Sequence, residues 1–106
     1  MNSGSSCSES EPFALRVLGD SMLPEFEEGN IIIIDPEGAV KDGCFVMASV
    51  DKEYTFRQLR IVDKKYFLQP LNDLYDTVEI NGLDEIAGVI TQKSIPGKRK
   101  LRKRYD

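Results

Sequence analysis

Histidine and tryptophan are missing altogether from the 106 residues, and cysteine occurs only twice. Without an imidazole there is no Ser-His-Asp triad, and the commonest zinc-hydrolase ligand sets are excluded with it. Any hydrolytic chemistry has to find another base. Cys7 stands in a Ser-rich stretch and Cys44 in an apolar run. Two such thiols make no disulfide framework and are expected free, as in a reducing compartment. Neither a metal nor a cofactor is expected. No hydrophobic run nears the ~20 residues that a membrane-spanning helix requires. Met1 to Glu11 has neither the basic start nor the apolar stretch of a signal peptide. A cytoplasmic location, with no membrane partner, is the expectation.

What is present is the material of one small globular unit: 41% hydrophobic and 30% charged residues, enough for a single core at this length. The net charge of −4 hides an asymmetry. Six of the fourteen basic side chains lie in residues 98–106, beside one acid, so residues 1–97 carry eight basic against seventeen acidic groups, a net of −9. An acidic body is a poor surface for phosphate. The basic segment, residues 94–106, reads as a solvated, frayed tail, with docking on its own acidic body or weak nucleic-acid contact as the alternatives.

Residues 1–12 are Ser-rich and acidic up to Pro12 and read as a disordered leader. Folded structure is expected over 13–93. Phe13 to Leu18 alternates loosely, as a first strand would. Ile31-Ile32-Ile33-Ile34, stopped by Asp35-Pro36, has the mark of a strand buried on both faces. Cys44 to Val50 and Glu53 to Val62 flank Asp51-Lys52 and read as a hairpin. Lys65 to Leu71, Thr77 to Ile80 and Glu85 to Thr91 complete about seven short strands. No segment holds a 3.6-residue apolar period. The fold expected is small, irregular and mostly β, with no room for a helix-turn-helix head.

Alternation within Glu53 to Val62 puts Arg57 on one face with Thr55, Leu59 and Ile61. A lone cation on an apolar face costs several kcal/mol, on the order of 3–5, unless it is paired or opens on a cleft. Arg57 therefore pairs with an acid such as Asp20 or Asp42, or it belongs to a site. Ser21 sits in a turn, Gly19-Asp20-Ser21-Met22-Leu23-Pro24, that can expose its hydroxyl and aim backbone N–H groups at one point. Gly-Asp-Ser is also ordinary turn chemistry. By the same token Asp20 and Asn72 read as turn-forming residues.

The turn, followed by Phe26, Gly29-Asn30 and the aliphatic run to Asp35-Pro36, resembles the active-serine box of the LexA, UmuD and phage lambda repressor family. The resemblance continues through Asp42-Gly43, Glu53-Tyr54-Thr55-Phe56, Phe67-Leu68-Gln69-Pro70-Leu71-Asn72 and Ile86-Ala87-Gly88-Val89-Ile90, covering about residues 13–92. The phage-repressor branch looks closest. It implies a small, irregular β-barrel-like fold of the LexA and signal-peptidase type, a self-cleaving serine peptidase in transcriptional regulation, and a homodimer. It places the nucleophile at Ser21 and the oxyanion donors at the backbone N–H groups of Ser21 and Met22. It also implies a peptide segment folded into the cleft, cut at an Ala-Gly or Cys-Gly bond. Ahead of the serine turn itself, which begins at Gly19, the one glycine in the sequence is Gly4, and it follows Ser3.

The family's general base is a buried, neutral lysine in a strand reading Thr-Val-Lys or Thr-Phe-Lys. Here that strand reads Thr55-Phe56-Arg57, with Arg57 at the base position, thirty-six residues after Ser21. A lysine amine of ordinary pKa ~10.4 can be lowered by burial until it accepts protons near neutrality. A guanidinium is effectively never deprotonated in a protein. The nearest lysines in sequence, Lys52, Lys64 and Lys65, fall at turns. Ser-Lys catalysis is therefore expected to be absent or severely reduced, leaving dimerisation or peptide binding. An active peptidase with another base, and a basic-tailed accessory protein that binds nucleic acid, are the alternatives.

Overall fold

The computed structural model describes residues 11–105. The expected leader up to residue 10, with Cys7, lies outside them. Eight strands follow one another: β1 (Phe13–Arg16), β2 (Ile31–Asp35), β3 (Phe45–Val50), β4 (Glu53–Val62), β5 (Lys65–Gln69), β6 (Val78–Ile80), β7 (Ile86–Ile95) and β8 (Lys98–Arg104), with one 3-10 turn at Leu83–Glu85. All pairings are antiparallel, in one sheet of order β1-β2-β7-β3-β4-β5-β6, with β8 also on β7. The mostly β fold is thus the one the sequence implies. Among the described residues no helix is long and apolar enough to cross a membrane.

Local chemistry accounts for the hairpins. Asp51 and Lys52 have φ of +51° and +69°, and Asp63 and Lys64 of +51° and +67°. Two-residue turns with both central residues at positive φ match the right-handed twist of the flanking strands. They fix β3 on β4 and β4 on β5 in register. The sheet then coils so that both its faces bury side chains. Neighbouring Val46 and Met47 on β3 enter different hydrophobic clusters. One cluster gathers Met22, Phe26, Ile32, Ile34, Met47 and Ile90; the other is built on Val46, Ala48, Leu59, Leu68, Ile80 and Val89.

Two expectations need correction. β2 is not buried on both faces: Ile32 and Ile34 are buried, whereas Ile31 and Ile33 are only half-covered. The strand lies near the sheet edge, between β1 and β7, and only one of its faces meets a cluster. The basic segment, in turn, is no frayed tail. β7 continues to Ile95, and β8 pairs back on it across Pro96-Gly97, where Gly97 takes φ +80°. Tyr105 follows, its ring 5.3 Å from both Phe26, tilted, and Phe45, edge-on, and its N–H donates to the Thr91 carbonyl at 2.9 Å. This bond carries the β7–β8 register, in which Gln92 faces Arg104, one residue further. An aromatic anchor and an acidic body hold the segment down.

Strands approach closely at Gly88 on β7, where a Cβ would come within 2.5 Å of Ile34 Cγ2 and 3.2 Å of the Asp35 carbonyl oxygen. Backbone atoms on one side leave little room to relax. Gly88→Ala is expected to destabilise the fold by about 1–3 kcal/mol, the usual range for overpacking a core. Chemical denaturation compared with the wild type measures it.

Candidate active site

Ser21 stands in the segment between β1 and β2, and buried residues pin that segment on both sides. Gly19, at φ +79°, turns the chain sharply out of β1. Met22 and Phe26 then point inward, 1% and 0% exposed, and the Phe26 N–H donates to the Met22 carbonyl in a single helical turn. Phe26 makes edge-on contacts with Phe45 and Phe56 at 4.9 and 4.8 Å. With its neighbour buried, Ser21 itself faces a cleft of about 450 Å³.

Across that cleft is β4. Arg57 Nη1 donates to Ser21 Oγ at 2.8 Å and to the Phe56 carbonyl at 2.7 Å. The residues read as nucleophile and as occupant of the base position thus lie in direct contact. The acids considered as partners of Arg57 are engaged elsewhere. Asp42 accepts from Arg60 Nε at 3.0 Å and from the Ile61 N–H at 2.8 Å, and Asp20 accepts from the Tyr75 hydroxyl. Among the described residues Arg57 has no carboxylate partner. Its purely structural pairing is therefore not formed. Burial draws the guanidinium's pKa down from its ordinary value, and the nearby Tyr75 acts in the opposite direction. The group keeps its proton at any pH at which proteins remain folded. Lys52 and Lys64 sit in the hairpin turns.

The backbone N–H groups expected as oxyanion donors lie in the same turn. Neither the Ser21 nor the Met22 N–H donates to any described residue, while the N–H of Leu23 closes a turn onto the Asp20 carbonyl at 3.3 Å. Asn72, read as a turn former, does more than that. Its Oδ1 takes the Leu74 N–H within its own turn; its N–H donates to the Ser21 carbonyl at 3.0 Å and its Nδ2 to the Asp20 carbonyl at 2.9 Å. This clamps the serine turn from fifty residues away.

Two further residues escape sequence reading. Tyr75 bonds Asp20 and sets its ring 5.9 Å from the Arg57 guanidinium carbon. Glu25, four residues past the serine, receives Lys103 Nζ at 2.8 Å, Lys93 Nζ at 3.5 Å and the Tyr105 hydroxyl at 2.5 Å. No local signal announces these contacts, because their partners are separated by fifty-five to eighty residues.

The Peptidase S24-like family profile matches residues 2–91. The chain belongs to that family. Among curated proteins it is 43% identical over 90 residues to the HTH-type transcriptional regulator for conjugative element R391 of Providencia rettgeri, covering 78% of this chain and 42% of that protein. It is 39% identical over 95 residues to repressor protein C2 of Salmonella phage P22, covering 84% and 44%. A LexA repressor of Magnetococcus marinus is 33% identical over 69 residues, covering 64% and 30%. The chain spans less than half the length of these relatives.

The Glu25 cluster carries a pH dependence. Burial alone would raise the carboxyl's pKa; hydrogen bonds from Lys103 and Tyr105 and the charges of Lys93 and Lys103 outweigh it and hold the group below its ordinary value of 4.5. A carboxylate so depressed contributes stability above its unfolded-state pKa and loses it as the pH falls through the folded value. Unfolding midpoints of the wild type should therefore drop below about pH 4.5 more steeply than those of Glu25→Gln. Parallel curves would show that the latch contributes nothing.

Proposed function

We propose that this chain is an S24-like domain of a cytoplasmic transcriptional regulator in which Ser-Lys cleavage is disabled and the cleft holds a peptide segment without cutting it. The observation that carries this reading is the direction of one hydrogen bond. Ser21 Oγ accepts from Arg57 at 2.8 Å. For a hydroxyl to attack a carbonyl it must give its proton to a base as the bond forms. A neutral lysine amine offers a lone pair for that proton. The guanidinium has none to offer and instead occupies a lone pair of the oxygen. Its positive charge would stabilise an alkoxide, but it supplies no acceptor to create one.

Peptide binding is supported by the edges around the cleft. β1 is an end strand, paired on one side only with β2. β5 covers β4 only from Gln58 to Val62, so residues 53–57 have β3 alone as a strand neighbour. Leu15 and Arg16 from the first edge and Tyr54 to Arg57 from the second line the same cleft. An extended chain entering it meets unpaired backbone groups on both walls, the requirement for recognition by strand addition. The regulatory setting follows from the repressors to which the chain is similar. A second copy of the chain is the further partner that family membership supports, and sedimentation equilibrium should show a dimer; a monomer at all concentrations would remove that part of the proposal.

Arg57→Lys is the decisive variant. With the family's amine in place, a peptide containing an Ala-Gly bond should be cut, and the added change Ser21→Ala should abolish the cutting. The unaltered protein should leave the same peptide intact from neutrality up to about pH 10, where a lysine amine is half neutral even without burial. Cleavage by the unaltered protein that disappears in Ser21→Ala would overturn the proposal.

A further inference from the structure

On the reading of the cleft as a peptide-binding site, we propose that Arg57 makes it a receptor for a free peptide C-terminus, the terminal carboxylate lying between the Arg57 guanidinium and the backbone N–H groups of Ser21 and Met22. The first ground is an uncompensated charge. Arg57 is half-buried, and among the described residues it has no carboxylate within ion-pair distance. Of its five N–H donors, those on Nη1 are spent on Ser21 Oγ and the Phe56 carbonyl. Nε and Nη2 have no partner among the described residues. A partly desolvated cation with open donors favours an anion that brings its own oxygen pair, and a carboxylate matches the guanidinium fork.

The second ground is the donor set opposite. The Ser21 and Met22 N–H groups donate to no described residue and flank the same hydroxyl. Both residues line the cleft, and the N–H groups that family membership assigns to an oxyanion are the kind of donor a permanent carboxylate needs. In an inert site the anion is the ligand's own and not a transient one. The third ground selects the kind of ligand. Apolar groups from Leu15, Val17, Met22, Ile32, Met47 and Phe56 wall the cleft, and strand edges bound it. These suit an extended chain and offer nothing to a small inorganic ion. Asp20, at the rim with its carboxylate on the Tyr75 hydroxyl, further disfavours a dianion such as phosphate while tolerating a single negative charge. A continuous peptide would set a neutral amide against Arg57 and leave the cation uncompensated. A chain that ends there compensates it.

The test compares two ligand pools on the intact protein: randomised hexapeptides with a free C-terminus, and the same pool amidated. Retention on immobilised protein is read by mass spectrometry, and retained sequences are then measured individually as acid and amide by calorimetry. The acid should bind at least about tenfold more tightly than its amide, the scale of one charge-assisted pair. In Arg57→Gln the ratio of acid to amide affinity should fall to near one. The acid should also shift the Ser21 and Met22 amide resonances of the wild type, a readout that needs no variant. Equal retention of both pools would overturn the carboxylate inference and leave peptide binding standing. Retention of neither would overturn both.

Discussion

The burial of Phe26 is the constraint from which the rest of the site follows. This ring has no exposed surface and is enclosed by Phe45, Phe56 and Tyr105, which come from β3, β4 and the residue after β8. A segment with no regular secondary structure is thereby fixed against two strands and the end of a third, all remote in sequence. Met22, one turn earlier, is held in the same cluster. With Met22 and Phe26 both directed inward, Ser21 has to face the cleft. Phe56 joins the other wall to the same ring, and the next residue along β4, pointing to the opposite face, is Arg57. Aromatic packing therefore sets the distance between hydroxyl and guanidinium, and the hydrogen bond reports a geometry already decided.

A fixed distance makes the chemistry depend on one side chain. Asn72 ties down the carbonyls of Asp20 and Ser21, and Glu25 gathers two lysines and a tyrosine on the far side of the turn. These supports hold the serine turn whichever residue occupies position 57. What position 57 determines is the sense in which the proton of the Ser21–57 contact is shared. An amine that has lost its charge accepts from the hydroxyl, and a guanidinium donates to it. On the reading proposed above, the same scaffold thus holds either a nucleophile or an anion receptor.

Much of this was legible in the sequence, wherever the signal was local. Asp51-Lys52 announces its hairpin, the β-branched run announces β2, and the motif around Ser21 with its thirty-six-residue interval singles out the residue that contacts the Ser21 hydroxyl. The closing strand was not legible for a physical reason. Six of the last nine residues are basic, so residues 98–104 show neither apolar alternation nor β-branched composition. Backbone pairing with β7, the Tyr105 anchor and the acid at Glu25 decide their conformation, and none of these is a property of the segment itself. Tyr75 and Asn72 reach the site for a similar reason. The loop that carries them returns to the serine turn only after β3, β4 and β5 have been laid down.

The placement of Arg57 also explains how the fold tolerates it. On a closed apolar face an unpaired guanidinium would cost several kcal/mol, on the order of 3–5, and an acid would be needed beside it. Here β5 stops short of residues 53–57, so Arg57 opens on the cleft and remains half in contact with solvent. The residual desolvation is relieved by the Phe56 carbonyl and by Ser21 Oγ, both of them neutral acceptors. Neutral acceptors satisfy hydrogen bonds but leave the charge itself unbalanced. A site formed in this way is stable enough to persist and still gains from an anion. On the reading proposed above, that combination separates a binding function from a merely damaged enzyme: loss of the base alone would leave an inert cleft, whereas a cation in its place would give the cleft a ligand preference of its own.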